Sequence, residues 1–177
     1  MKSILAAICF CIISITSFGQ SIPKMKITDV EKYISTDSSN ILVINFWATF
    51  CKPCVAEIPS FISTVQKYKN DKVKLLLVSL DLPNYYPAKI ATFAKQHNFS
   101  TNIAWLNETN ADYFCPKVDE KWSGAIPATL IVNTKTGYRK FFEDEMSAAT
   151  FEKELKLAII GKQRSSSDHS IDSNEPE

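Results

Sequence analysis

The chain has 177 residues, 45% of them hydrophobic and 22% charged, with a formal net charge of +1. That length and apolar content suit one ordinary domain with a full core. The near-neutral balance, with neither a basic stripe nor a Gly-rich phosphate loop, gives no argument for a nucleic-acid partner.

The N-terminal stretch reads as a targeting segment. Lys2 supplies a positive charge, and Ile4 to Phe18 is an almost uninterrupted apolar run. Ser17 and Gly19 are small residues placed for cleavage after Gly19, which completes the pattern of a secretory signal peptide over residues 1–19. The run is shorter than the roughly 18 residues expected of a span, so the alternative is a short anchor that stays attached. The expected location is therefore export, to a periplasm, with membrane tethering if the leader is not cleaved. Bulky Ile8 and Phe10 precede Cys9 and Cys11, which argues against lipid attachment at either cysteine. Removal of the leader takes two of the five cysteines and leaves Cys51, Cys54 and Cys115. A stapled secreted scaffold would carry an even and denser set.

Residues 20–161 read as one domain. After a polar lead-in from Gln20 to Lys24, Met25 to Thr28 suggests a brief strand, and Asp29 a cap for a helix through Ile34. Thr36 to Asn40 is a polar turn. Ile41 to Trp47 is apolar almost throughout and rich in β-branched residues, the pattern of a central strand covered on both faces. Cys51 to Lys69 has helical spacing, with Ile58, Phe61, Ile62, Val65 and Tyr68 on one face and Pro59 expected to kink it. Val73 to Leu80 is a second continuous apolar strand.

A Pro-flanked loop then leads to a helix from Pro87 to about His97 and a short strand from Thr101 to Leu106. Asn110 to Trp122 is a weaker helix interrupted by Pro116. Beyond the loop Ser123-Gly124-Ala125-Ile126-Pro127, Ala128 to Asn133 and Tyr138 to Glu143 form an antiparallel pair across a turn at Thr134 to Gly137. Ser147 to Ile160 closes the domain as a helix stopped by Gly161. Residues 162–177 are too polar to order themselves. The order β-α-β-α-β-α-β-α-β-β-α, with apolar strands inside, implies an α/β fold with a mixed sheet and helices on both faces.

Two cysteines sit where the first central strand meets its helix. The unpaired N–H groups and dipole at a helix N-terminus favour negative charge, so a thiolate at Cys51 is stabilised there, with Lys52 adding a nearby cation. Free cysteine titrates near about 8.5, and such a setting can lower that to roughly 3.5–7.5. Cys54 lies about one turn on, within disulfide reach of Cys51. The pair suits thiol–disulfide exchange: Cys51 attacks a substrate disulfide and Cys54 resolves the mixed disulfide. A structural disulfide or half a zinc site is the alternative; for zinc, no second C-x-x-C or C-x-x-H exists, and His97 and His169 are far apart. Glu57, one turn beyond Cys54, is a candidate proton acceptor for Cys54 if it is buried, and an ordinary solvated glutamate if it is not.

Trp47-Ala48-Thr49-Phe50-Cys51-Lys52-Pro53-Cys54, Pro59 and Gly124-Ala125-Ile126-Pro127-Ala128-Thr129 together resemble thioredoxin-fold proteins, and more closely the exported TlpA/ResA-like thiol–disulfide oxidoreductases. The resemblance spans roughly Met25 to Ile160. It implies a thioredoxin-like sheet with an inserted helix and strand at Pro87 to Leu106. Asn45 stands where cytosolic members usually carry a buried aspartate, and Glu57 stands where several exported members carry theirs. Pro127 should be cis and beside Cys51, leaving the Ile126 backbone free to pair with an extended substrate.

Trp47, Lys52, Pro53, Ile126 and Pro127 are accordingly the expected substrate contacts, with Trp47 and Phe50 shielding the dithiol and plain core the alternative for Trp47. Catalysis is expected from Cys51, Cys54 and Glu57, with no cofactor and no metal. The implied partners are exported proteins carrying disulfides and a membrane thiol electron donor, with reduction the expected direction. An oxidase or isomerase on the same fold stays open, as does a non-catalytic metal- or apoprotein-binding role. A peroxiredoxin-type peroxidase would want a threonine three residues before the cysteine, and Thr49 is only two before Cys51. Cys115 reads as a structural or spare thiol, with a regulatory or intermolecular disulfide partner the alternative.

Overall fold

The computed structural model describes residues 21–37, 39 and 41–161. The first half runs β1 (Lys24–Met25), α1 (Ile27–Thr36), β2 (Ile41–Trp47), α2 (Lys52–Lys67), β3 (Val73–Ser79) and α3 (Ala88–Gln96). The second half runs β4 (Asn102–Leu106), α4 (Ala111–Val118), β5 (Ala128–Asn133), β6 (Tyr138–Phe142) and α5 (Ala148–Ile160). The alternation is the one expected from the hydrophobic pattern. The leader at 1–19 and the polar tail at 162–177 lie outside the described residues.

The strands form one sheet in the order β1-β4-β3-β2-β5-β6. The pairs β1–β4, β4–β3 and β3–β2 are parallel, while β2–β5 and β5–β6 are antiparallel. Every residue of β2 is buried because helices cover both faces, which is why its sequence shows no polar alternation. Ile41, Val43 and Trp47 pack on the side of α2, α3 and α5, whereas Ile44 and Phe46 face α1 and α4. Asn45 shares the parity of Trp47, which aims it at α2 rather than at the opposite core.

Local chemistry moves several boundaries. The strand expected at Met25 to Thr28 shrinks to two residues, and the helix starts at Ile27. Asp29 caps from inside the first turn, its carboxylate accepting the Lys26 amide at 2.8 Å. The second helix begins at Lys52 with Cys51 as its N-cap, and it continues through Pro59, whose ring is exposed. Pro87 is the N-cap of α3 rather than its first residue, and it follows a cis Tyr86–Pro87 peptide that local composition did not signal. The helix around Pro116 stops at Val118, short of Trp122. Ser147 caps α5 by accepting the Thr150 amide at 3.1 Å, and Gly161 ends it with a φ of 71°.

The join between α2 and α5 is built on Phe61 and Phe151, both fully buried, with ring centroids 3.9 Å apart and planes 16° from parallel. Phe61→Ala should lower stability by about 3–5 kcal/mol through lost burial and the cavity it leaves. The measurement is urea unfolding, where the midpoint should fall and the slope should stay unchanged.

Candidate active site

The chain leaves β2 at Trp47, turns through Ala48–Phe50, and enters α2 after Cys51. The turn is closed by the Cys51 amide donating to the Ala48 carbonyl at 3.0 Å. Cys51 and Cys54 form a disulfide with an S–S distance of 2.00 Å and Cα atoms 5.3 Å apart. As N-cap, Cys51 presents its sulfur to the open end of the helix, and the Cys54 amide donates to Sγ at 3.3 Å. An amide aimed at that sulfur stabilises it more as a thiolate than as a thiol. Cys51 is 8% exposed and Cys54 0%, so Cys51 is the sulfur an incoming group can reach.

The opposite wall is the loop before β5. The Ile126–Pro127 peptide is cis, as the resemblance implies, and the Ile126 carbonyl oxygen lies 3.7 Å from Cys51 Sγ. The β2–β5 register places Phe46 opposite Ala128, so Pro127 arrives beside the end of β2 where the cysteine turn starts.

Behind the disulfide, Glu57 is buried to 3% exposure. Its Oε1 accepts from Asn45 Nδ2 at 2.8 Å, and its Oε2 accepts the Met146 amide at 2.8 Å. Burial outweighs these two bonds and pushes the carboxyl up to about 7, with the nearby charge of Glu145 acting the same way. Asn45 Nδ2 also donates to Thr129 Oγ1 at 3.0 Å, so one amide joins β2, α2 and β5. Its Oδ1 is buried with no hydrogen-bond partner among the described residues.

A second buried carboxylate pins the turn itself. Asp81, just past β3, accepts the Thr49 amide at 3.1 and 3.2 Å and the Thr49 hydroxyl at 2.6 Å. Ser79 Oγ adds a bond at 2.8 Å. Sequence reading gave no role to Asp81 or Met146, and named Thr129 only as the last residue of the proline-loop motif. The available signal was position: carboxyl ends of parallel strands are where α/β sheets gather functional groups. Met146 acts through its backbone, which no side-chain pattern reports.

The expected substrate contacts divide. Lys52 and Pro53 are exposed beside Cys51, and Ile126 is half-buried in the facing loop. Trp47 does not belong with them. It is fully buried, packed near the Phe93 and Phe99 rings, so it is core and cannot touch a substrate. The parity of β2 points its side chain inward. Phe50, 67% exposed, is the aromatic that reaches solvent. The Pro127 ring is also buried, so this wall offers the Ile126 backbone rather than the proline. Cys115 is buried under the Gly124 loop, and burial with the charges of Glu143 and Asp112 pushes its thiol up to about 11, leaving it poorly nucleophilic near neutrality. Among the described residues no three His, Cys, Asp or Glu side chains are grouped to hold a metal ion.

The model of the AhpC/TSA family matches residues 18–137. The thiol-disulfide oxidoreductase ResA of Oceanobacillus iheyensis is 28% identical over 92 residues, covering 44% of this chain and 48% of its own. The thioredoxin-like protein YneN of Bacillus subtilis is 27% identical over 143 residues, covering 78% of this chain and 79% of its own. The chain thus spans about half the length of the ResA relatives it matches. Among solved structures, a thioredoxin-related protein from Neisseria meningitidis serogroup B superposes with a TM-score of 0.60 at 26% identity, over 71% of this chain and 89% of that one.

The raised Glu57 carboxyl makes stability depend on pH with a definite sign. Below its ordinary value of 4.5, Glu57 is protonated both folded and unfolded, and its burial carries no ionic penalty. As pH rises toward about 7, the unfolded chain loses this proton first, so this group's contribution falls and then levels off. The loss should be on the order of 3 kcal/mol between about pH 4 and pH 8. Urea unfolding of the disulfide-closed chain and of Glu57→Gln across that range is the check, and the difference between the two curves should carry the slope.

Proposed function

This chain belongs to the AhpC/TSA family of thioredoxin-like proteins, and from that premise we propose that it is an exported thiol–disulfide oxidoreductase that reduces disulfides in other exported proteins. The reading is carried by one observation: a cysteine pair at a helix N-terminus whose reachable sulfur meets both an amide donor and the Ile126 carbonyl. The similarity to ResA and the leader-like residues 1–19 support the same reading.

The cycle starts from the dithiol. The Cys51 thiolate attacks one sulfur of the substrate disulfide, forming a Cys51–substrate bond and expelling the first substrate thiolate. Glu57, as carboxylate, takes the proton from Cys54. The Cys54 thiolate then attacks Cys51 Sγ, closing the enzyme disulfide and expelling the second substrate thiolate. Two electrons pass from the dithiol to the substrate. An external dithiol, supplied by a membrane thiol carrier, restores the enzyme. A buried carboxyl titrating near 7 suits a base that must accept a proton from Cys54 and return it in each cycle.

A peroxiredoxin-type peroxidase on the same fold is the reading this site does not favour. Ala48 stands three residues before Cys51, and the Thr49 hydroxyl is already committed to Asp81 at 2.6 Å.

Insulin reduction should vanish in Cys51→Ser, and Cys54→Ala should accumulate mixed disulfides with its substrates on gels run without reductant. Glu57→Gln should slow resolution of the mixed disulfide and remove an inflection near pH 7 from its rate profile. A redox titration against glutathione tests the direction. A potential near about −270 mV supports a reductase, and one near about −120 mV overturns that direction in favour of an oxidase.

A further inference from the structure

The Ile126 carbonyl that meets Cys51 sits on an exposed loop, and the loop is held from outside the dithiol helix. Glu143, the residue after β6, points its carboxylate back at Ser123–Ala125. Its Oε1 alone accepts the Ser123 amide at 2.9 Å, the Ala125 amide at 3.0 Å and the Ser123 hydroxyl in a short bond. The Gly124 amide also faces this carboxylate, and Gly124 takes a φ of +98° that lets successive amides converge on one acceptor. From the other side, Trp122 Nε1 donates to the Ala125 carbonyl at 2.9 Å. Three residues beyond Glu143, the Met146 amide holds Glu57. The segment 143–146 therefore grips both walls of the site.

Ser123 and Ala125 are exposed, and water would satisfy their amides at little cost. Hydrogen-bond satisfaction alone does not call for the carboxylate. What the carboxylate adds is a fixed direction for the backbone that leads into Ile126. We propose that Glu143 is a positioning residue for substrate docking: it sets the Ser123–Ile126 loop so that the Ile126 backbone can pair with the extended segment flanking a substrate cysteine. The inference rests on the oxidoreductase reading above and deepens it, because it names the residue that fixes the loop with which a protein disulfide would pair.

The test compares two disulfides reduced by the full chain under excess dithiothreitol: insulin, which has backbone to pair, and hydroxyethyl disulfide, which has none. Glu143→Ala should raise KM for insulin about tenfold with kcat within about twofold, and should change the hydroxyethyl disulfide rate by less than about twofold. Glu143→Gln should restore most of the loss, since a single oxygen takes all three bonds. If Glu143→Ala does not fold, Glu143→Asp gives the same comparison, with the charge kept and the arm too short to reach the loop. Equal losses on both disulfides, an unchanged KM for insulin, or a glutamine variant as poor as alanine would each overturn the proposal. A wild-type chain inactive on both disulfides overturns the oxidoreductase reading and this inference with it, whereas an active wild type with an indifferent Glu143→Ala overturns this inference alone.

Discussion

The antiparallel register of β2 against β5, with Phe46 opposite Ala128 and Asn45 opposite Thr129, is the constraint on which the site depends. It brings the start of β5 to the end of β2, so the Pro127 loop and the Cys51 turn meet although 75 residues separate Cys51 from Ile126. A slip of one residue would reverse the inward parity of every β5 side chain. It would take Thr129 from Asn45 and carry the Ile126 carbonyl away from the sulfur. The register is secured because both strands are buried along their whole length, so any slip also unpacks both cores.

Within that frame the site is polar where the fold would otherwise be dry. Glu57, Asn45, Thr129 and Asp81 are all nearly inaccessible. Burying such groups is costly unless they are hydrogen-bonded. The bonds found here leave Asn45 Oδ1 and Trp47 Nε1 without partners among the described residues. An apolar arrangement of the same shape would be more stable by this reckoning. The polar one places a buried carboxyl one turn past the inner sulfur and a hydrogen-bonded turn before the outer one. Asp81 and Glu57 act on different parts, the first on the turn before Cys51 and the second on the helix after it.

The two walls are also tied through segments far from the cysteines in sequence. Met146 reaches Glu57 and Glu143 reaches Ser123–Ala125, so the stretch between β6 and α5 ties the helix and the loop together. Its sequence, Glu143-Asp144-Glu145-Met146, resembles any solvated connection. Nothing in composition separates a carboxylate that holds a loop from one that only keeps the surface soluble.

Hydrophobic period and punctuation by themselves determined the order of the elements, the central placement of Ile41–Trp47 and the cysteine pair at a helix start. These depend on neighbours a few residues apart, which the chain order already contains. The same local reading could not decide that Trp47 is core while Phe50 faces solvent, since both are aromatics flanking one turn. Nor could it decide that Glu57 is buried rather than hydrated. Those outcomes, with the roles of Asp81, Met146 and Glu143, follow from which strand lies against which and at what register. Only the folded sheet brings groups tens of residues apart together, so that burial raises a carboxyl's pKa and hydrogen bonds from distant segments hold a loop.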